Sequence, residues 1–193
     1  MSLQDSVLPI GVGLCLSAAC GFRAFLPLLF VGVASRAGAF TLHGNYEWLS
    51  STTGLVVLLT AAISEIAAYF IPFVDNALDV VATPLALGAG ALSMLVSFGD
   101  HTGVIPWALA LILGAGTSGV VQAATVKLRA LSSGTTAGAG NAVVSGGELV
   151  GASALSLVAV LVPMLALLVA GLVLWLLVRM IRKLTRKKAL MAP

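Results

Sequence analysis

The sequence predicts an all-α, polytopic transmembrane helix bundle, and three observations carry the prediction. Of its 193 residues 60% are hydrophobic and only 9% charged, with a mean hydropathy of +1.12. A soluble domain is about a quarter charged, because its surface must meet water. The apolar runs are also continuous, as from Leu155 to Val178, the length a spanning helix needs. Finally, an unpaired backbone amide in hydrocarbon costs several kcal/mol, so spanning segments are helices or closed barrels. Barrel strands alternate apolar and polar over about ten residues, and uninterrupted apolar runs exclude them.

Walking those runs gives six spans, at roughly 7–35, 52–70, 74–97, 105–126, 141–161 and 163–181. The first has no Lys or Arg before Arg23, so it lacks the basic n-region of a cleaved secretion signal. In Leu16-Ser17-Ala18-Ala19-Cys20 the Leu stands one place too early for a lipoprotein cleavage box. Cys15 and Cys20, five apart on one helix, point in different directions and are not expected to form a disulfide. Between the first two spans, His43-Gly44-Asn45-Tyr46-Glu47-Trp48 reads as a polar loop with an aromatic interface anchor. Gly99 to Gly103 is a second turn, and the Ser, Thr and Gly of Leu131 to Gly140 read as a third loop.

From Asn141 to Val178 no strongly polar stretch follows Glu148. As one helix of about 38 residues it would be about 57 Å long, nearly twice the hydrocarbon core. It must break, and Pro163 sets the place near Val162, because the residue before a proline is biased away from helix.

Charge orients the bundle. Arg179, Arg182, Lys183, Arg186, Lys187 and Lys188 crowd the last fifteen positions, so the 179–193 tail is expected on the cytoplasmic side. Six spans then place Lys127 and Arg129 inside and leave only Arg36 outside, whereas five spans reverse this. The expectation is one transmembrane domain, 1–193, with both termini cytoplasmic in a bacterial inner membrane. Basic residues directly after an apolar run sit against anionic headgroups, so the lipid bilayer is the expected partner and nucleic acid is not.

Six spans also admit a 3+3 inverted repeat. Gly13–Ala24 and Gly114–Ala130 are both small-residue helices ending near a basic residue, and Glu65 and Glu148 each fall in the second helix of their half. Helix-borne glycines such as Gly11, Gly13, Gly90, Gly114, Gly146 and Gly147 read first as close packing in lipid, and at Gly21 and Gly146-Gly147 also as breaks that could shape a site.

The candidate functional residues are the ionisable ones inside the membrane, where each needs a partner or a task. Arg23 lies near the middle of the first segment between Gly21 and Pro27 and cannot shed its charge. The acids are Glu65, Asp75, Asp79 and Glu148, with Asp75 and Asp79 one helical turn apart. Four acids against one Arg leave a surplus of negative charge, which favours a cation or a shared proton. The plainer alternative is that Arg23 pairs with one acid and fixes helix register. His-Glu-x-x-His, a phosphate loop and a Cys pair at zinc spacing are all absent from the sequence, so neither an enzyme nor a cofactor is expected. His43 and His101 are lone loop histidines.

The chain resembles a bacterial membrane family of uncharacterised function, domain of unknown function 4126. The stretches that carry the resemblance are Gly13 to Pro27, Glu65 to Asp79 and Gly140 to Ser145. The chain departs from the family pattern at Ala142, where the pattern has Pro, and at Glu148-Leu149, where it has an acidic pair. The resemblance brings no activity with it. It implies that the segments around Arg23, Glu65, Asp75, Asp79 and Asn141 are the family's signature. A small transporter or channel binding a cation or small solute at Arg23, Glu65, Asp75, Asp79, Asn141 and Glu148 is the leading expectation. A scaffold packing against another membrane protein or forming a homo-oligomer is the second, and lipid handling through Arg23 and the basic tail the third.

Overall fold

The computed structural model describes residues 3–69, 71, 74–99, 103–136 and 138–169, with 171, 172, 175 and 179; for 3–6 and 74–79 it describes the backbone alone. Helices make up most of the described residues: α1 is Leu3–Phe22, α2 Phe25–Arg36, α3 Thr52–Tyr69 and α4 Val74–Ser97. A continuous rod over Val104–Thr136 follows, made of α5 (Val104–Leu109), a π-helical stretch (Ala110–Ala115) and α6 (Gly116–Thr136). α7 is Asn141–Leu161, and residues 163–169 resume as helix. α3, Val80–Ser97 of α4, the rod and α7 are each long and apolar enough to cross a membrane, and large apolar side chains such as Val80, Val104, Ile112, Val143 and Leu168 point outward. This is a helical membrane protein.

The first segment departs from expectation. Instead of one span over 7–35, the helix stops at Phe22 and restarts at Phe25. Pro27 is the cause: it cannot donate to the Arg23 carbonyl four residues back, and its ring clashes with that carbonyl. In the first turn of α2 a missing N–H is harmless, so the proline starts the second helix as it ends the first. The two arms then fold back. Leu8 and Pro9 near the start of α1 and Ala39 and Phe40 just after α2 line one cavity of about 340 Å³, whereas a straight helix would hold them about 45 Å apart. α1 and α2 are a hairpin with Arg23 at its tip.

The other elements wrap this hairpin. α1 packs on α4, α7 and the rod, while α2 packs on α3 and α7. Val96 and Ser97 of α4 and Ala159 and Val160 of α7 line the same cavity, so both helices end where the hairpin opens. The expected break before Pro163 is present, with Val162 at φ −134° and ψ 71°. Beyond it the chain turns back, for Leu155 accepts a hydrogen bond from Cys15 while Leu167 lies against Gly11. The expected sixth span is described at 163–169, 171, 172, 175 and 179, and the basic tail from 180 onward lies outside the described residues.

The expected loop at 131–140 is shorter than predicted. Helix continues to Thr136 because the Thr135 and Thr136 hydroxyls return hydrogen bonds to the Leu131 and Ser132 carbonyls. Of the two stretches behind the expected repeat, Gly13–Ala24 runs to the hairpin tip, whereas Gly114–Ala130 lies within one rod.

Small residues set a close approach between α1, α4 and the π-helical stretch. The Ser17 hydroxyl lies 2.6 Å from the Gly13 carbonyl oxygen and 2.8 Å from that of Gly90. A methyl group at Gly90 would stand 2.6 Å from Ser118 Cβ and 2.7 Å from the Gly114 carbonyl oxygen. Gly90→Leu is therefore expected to destabilise by about 2–3 kcal/mol, as overpacking does. At Gly88 the added methyl meets nothing within 4 Å, and Gly88→Ala is expected to stabilise by up to about 1 kcal/mol. Thermal denaturation in detergent micelles checks the pair, and equal midpoints for the two variants would contradict the seam.

Candidate functional site

The break at the hairpin tip frees the backbone N–H groups that open α2, and buried amides need acceptors. Glu65, near the end of α3, supplies them. Its Oε1 accepts from Ala24 N at 2.9 Å and its Oε2 from Phe25 N at 3.2 Å. The carboxylate thus sits on the positive end of α2, where helix dipole and hydrogen bonds both favour the anion.

Arg23 is fully buried at the tip. Its Nη2 donates to the Ser145 carbonyl at 3.1 Å and lies 3.5 Å from Glu148 Oε2. Glu148 faces a second guanidinium, that of Arg129 on α6, with Arg129 Nη2 3.4 Å from Oε1. Tyr69, one turn after Glu65, is shared by both: the Arg23 and Arg129 guanidinium carbons stand over its ring, 4.1 and 4.2 Å from the centroid. Cation–π attraction of this kind strengthens when the cation is desolvated, and both guanidiniums are buried here.

The residues expected at the site divide three ways. Arg23, Glu65 and Glu148 converge. Asn141, buried at the start of α7, donates from Nδ2 to the Ser133 hydroxyl at 2.8 Å and ties α7 to the end of α6; it shares the buried α7 stripe with Ser145 and Glu148. Asp75 and Asp79 stand in the first two turns of α4, and their side chains lie outside the described residues. The expected excess of negative charge is not present among the described side chains, where two guanidiniums face two carboxylates. Among the described residues no three His, Cys, Asp or Glu side chains group as a metal site would require.

Sequence reasoning missed Arg129, Tyr69, Ser145 and Gln122. Arg129 was expected as a charge in a short cytoplasmic loop, but the rod runs past it and buries it completely. The signal was available as spacing, because Gln122, Thr125 and Arg129 recur at helical period and form the buried face of α6. Tyr69 sits four residues from Glu65 and so on its face.

Tyr69 and Glu65 also border a groove between α3 and α4, about 300 Å³ in volume and otherwise walled by Ser64 and apolar side chains such as Phe25, Val81 and Leu85. The hairpin thus lies between two hollows, this groove near its tip and the larger cavity at its open end.

A family model described as a domain of unknown function (DUF4126) matches residues 10–183. No curated protein and no solved structure matches the chain.

Proposed function

The chain belongs to the family described as a domain of unknown function (DUF4126), and we propose that it is a small membrane transporter or channel whose ion or substrate site is the tip of the α1–α2 hairpin. The observation that carries this reading is the interrupted helix, with Arg23 at the break and Glu65, Glu148 and Arg129 gathered on it. Discontinuous helices inside a bundle recur at transport sites, where freed backbone groups and dipole ends meet the solute. Buried ionisable groups are costly in lipid and are kept there for function by default. Glu148, held between two guanidiniums, is the carboxylate whose ion pairs an incoming ion or substrate exchanges. The two hollows on either side of the hairpin supply approaches from opposite ends. With the basic tail cytoplasmic, the tip lies in the cytoplasmic half of the bilayer. The hairpin then starts and ends on the outer side, replacing the arrangement with both termini inside. The cluster of buried ion pairs is the feature that favours transport over catalysis.

Liposome reconstitution tests the reading, with fluxes of protons, sodium and small carboxylates measured for wild type, Glu148→Gln and Asp79→Asn. Wild type is expected to move at least one of them, and Glu148→Gln to slow that flux about tenfold or more. Silence of the wild-type protein for every solute would sink the proposal. A scaffold role is the second reading, favoured by the outward α7 face, where Val143 and Val150 flank Gly147 at 79% and 69% exposure. It predicts a stable homo-oligomer or complex on gentle solubilisation.

A further inference from the structure

We propose that the groove between α3 and α4 leads to an oxyanion site on Arg23, gated by the Tyr69 ring, whose ligand is a small carboxylate or phosphate. The inference deepens the transport reading and rests on it for its physiological meaning.

A guanidinium has five N–H donors. Arg23 commits Nη2 to Ser145 and Glu148, while Nε and Nη1, which carry the other three, have no hydrogen-bond partner among the described residues. The residue is 0% exposed, so water in the surrounding medium does not reach those donors. Leaving a buried charged donor unsatisfied carries a large desolvation cost. Gln122 Nε2 and Ser145 Oγ, on the buried faces of α6 and α7, are likewise without partners among the described residues. Among the described residues Arg23 thus presents three unmet N–H donors, which an acceptor-rich anion completes and a metal cation would not.

Access is the second observation. Tyr69 borders the groove and also carries the Arg23 guanidinium against its ring, 4.1 Å from the centroid. The ring is thus the partition between groove and guanidinium, and its rotation joins the two. About 300 Å³ admits a small molecule and little more. The Glu65 carboxylate on the groove wall opposes multivalent anions, which favours a monoanion.

The test uses the full-length protein in phosphatidylcholine nanodiscs. Sodium acetate and sodium dihydrogen phosphate are titrated with sodium chloride as the ionic-strength control. Binding is read by calorimetry and by the Arg23 Nε–H resonance, which needs no variant. Saturable binding with a shift of that resonance is expected, weakened about tenfold or more by Arg23→Lys, which keeps the charge but loses the N–H fan. Tyr69→Ala is expected to speed association. Native mass spectrometry of the detergent-extracted protein separates the sources. An anionic phospholipid whose removal restores phosphate binding supports the same chemistry and assigns the ligand to a headgroup. Three results overturn the proposal: no saturable anion and no bound anionic lipid, equal affinity in Arg23→Lys, or an Arg23 Nε already bonded to the Asp75 or Asp79 carboxylate. Equilibrium binding is independent of flux. A protein that moves only cations fails here and leaves the transport reading intact, and one that moves nothing can still bind the anion.

Discussion

Glu148→Leu is expected to lower stability by about 3–5 kcal/mol, the cost of removing one member of a buried ionic group. The size follows from what remains. Glu148 is the carboxylate within 3.5 Å of both Arg23 and Arg129, and both guanidiniums are buried at the level of the hairpin tip. Arg23 cannot neutralise itself by losing a proton, so it must find another anion, draw in water or pull the helices apart. Glu148→Gln keeps the shape and some hydrogen bonding and is expected to fall between. Glu47, exposed in the loop before α3, is the control, and its Gln variant is expected to change stability by less than about 0.5 kcal/mol. Equilibrium unfolding in mixed micelles measures all three. A Glu148→Leu protein as stable as the Glu47→Gln control would show that the ion pairs carry no structural weight.

The second large effect is at Glu65. Its two oxygens accept the Ala24 and Phe25 N–H groups at the break, and no side chain of α2 caps its own start. Glu65→Leu strands two part-buried donors, each costing about 1–2 kcal/mol, so a loss of about 2–4 kcal/mol is expected. Glu65→Gln keeps one good acceptor and is expected to lose roughly half as much. Amide hydrogen exchange gives the sharper readout. In Glu65→Leu the first turn of α2 should lose protection while the α1 turn ending at Arg23, still bonded through Arg23 N to Ala19 O, keeps it. Uniform loss across both arms would mean that Glu65 supports the bundle generally and does not cap the break.

These effects bear on what was legible in advance. Arg23, Glu65 and Glu148 could be chosen without a structure because lipid makes any buried charge conspicuous. The use of each could not. Glu65 was read as a candidate ligand, and it is the cap of a helix whose start the sequence did not reveal. Pro27 is compatible with a bend, yet a proline in the first turn of a helix and one that kinks a helix share a sequence. What separates them is whether acceptors exist for the freed amides, and Glu65 on α3 provides them from 41 residues away. Arg129 shows the converse error. Counted as a loop charge, it lies inside a helix that hydroxyl side chains extend to Thr136.

By itself the sequence determined that this protein is a helical membrane bundle, where α3, α4 and α7 run, that the chain breaks before Pro163, and that Arg23 and Glu148 are charges held at a cost. Those features follow from local chemistry: hydropathy over about twenty residues, the missing N–H of proline and the price of charge in hydrocarbon. Tertiary structure alone decided that the first segment folds back into a hairpin, that Arg129 and Tyr69 join Arg23 at its tip, and that Glu65 caps α2. Each of these depends on groups distant in the chain satisfying one another's hydrogen bonds and charges where water is excluded, and no local pattern encodes such a pairing.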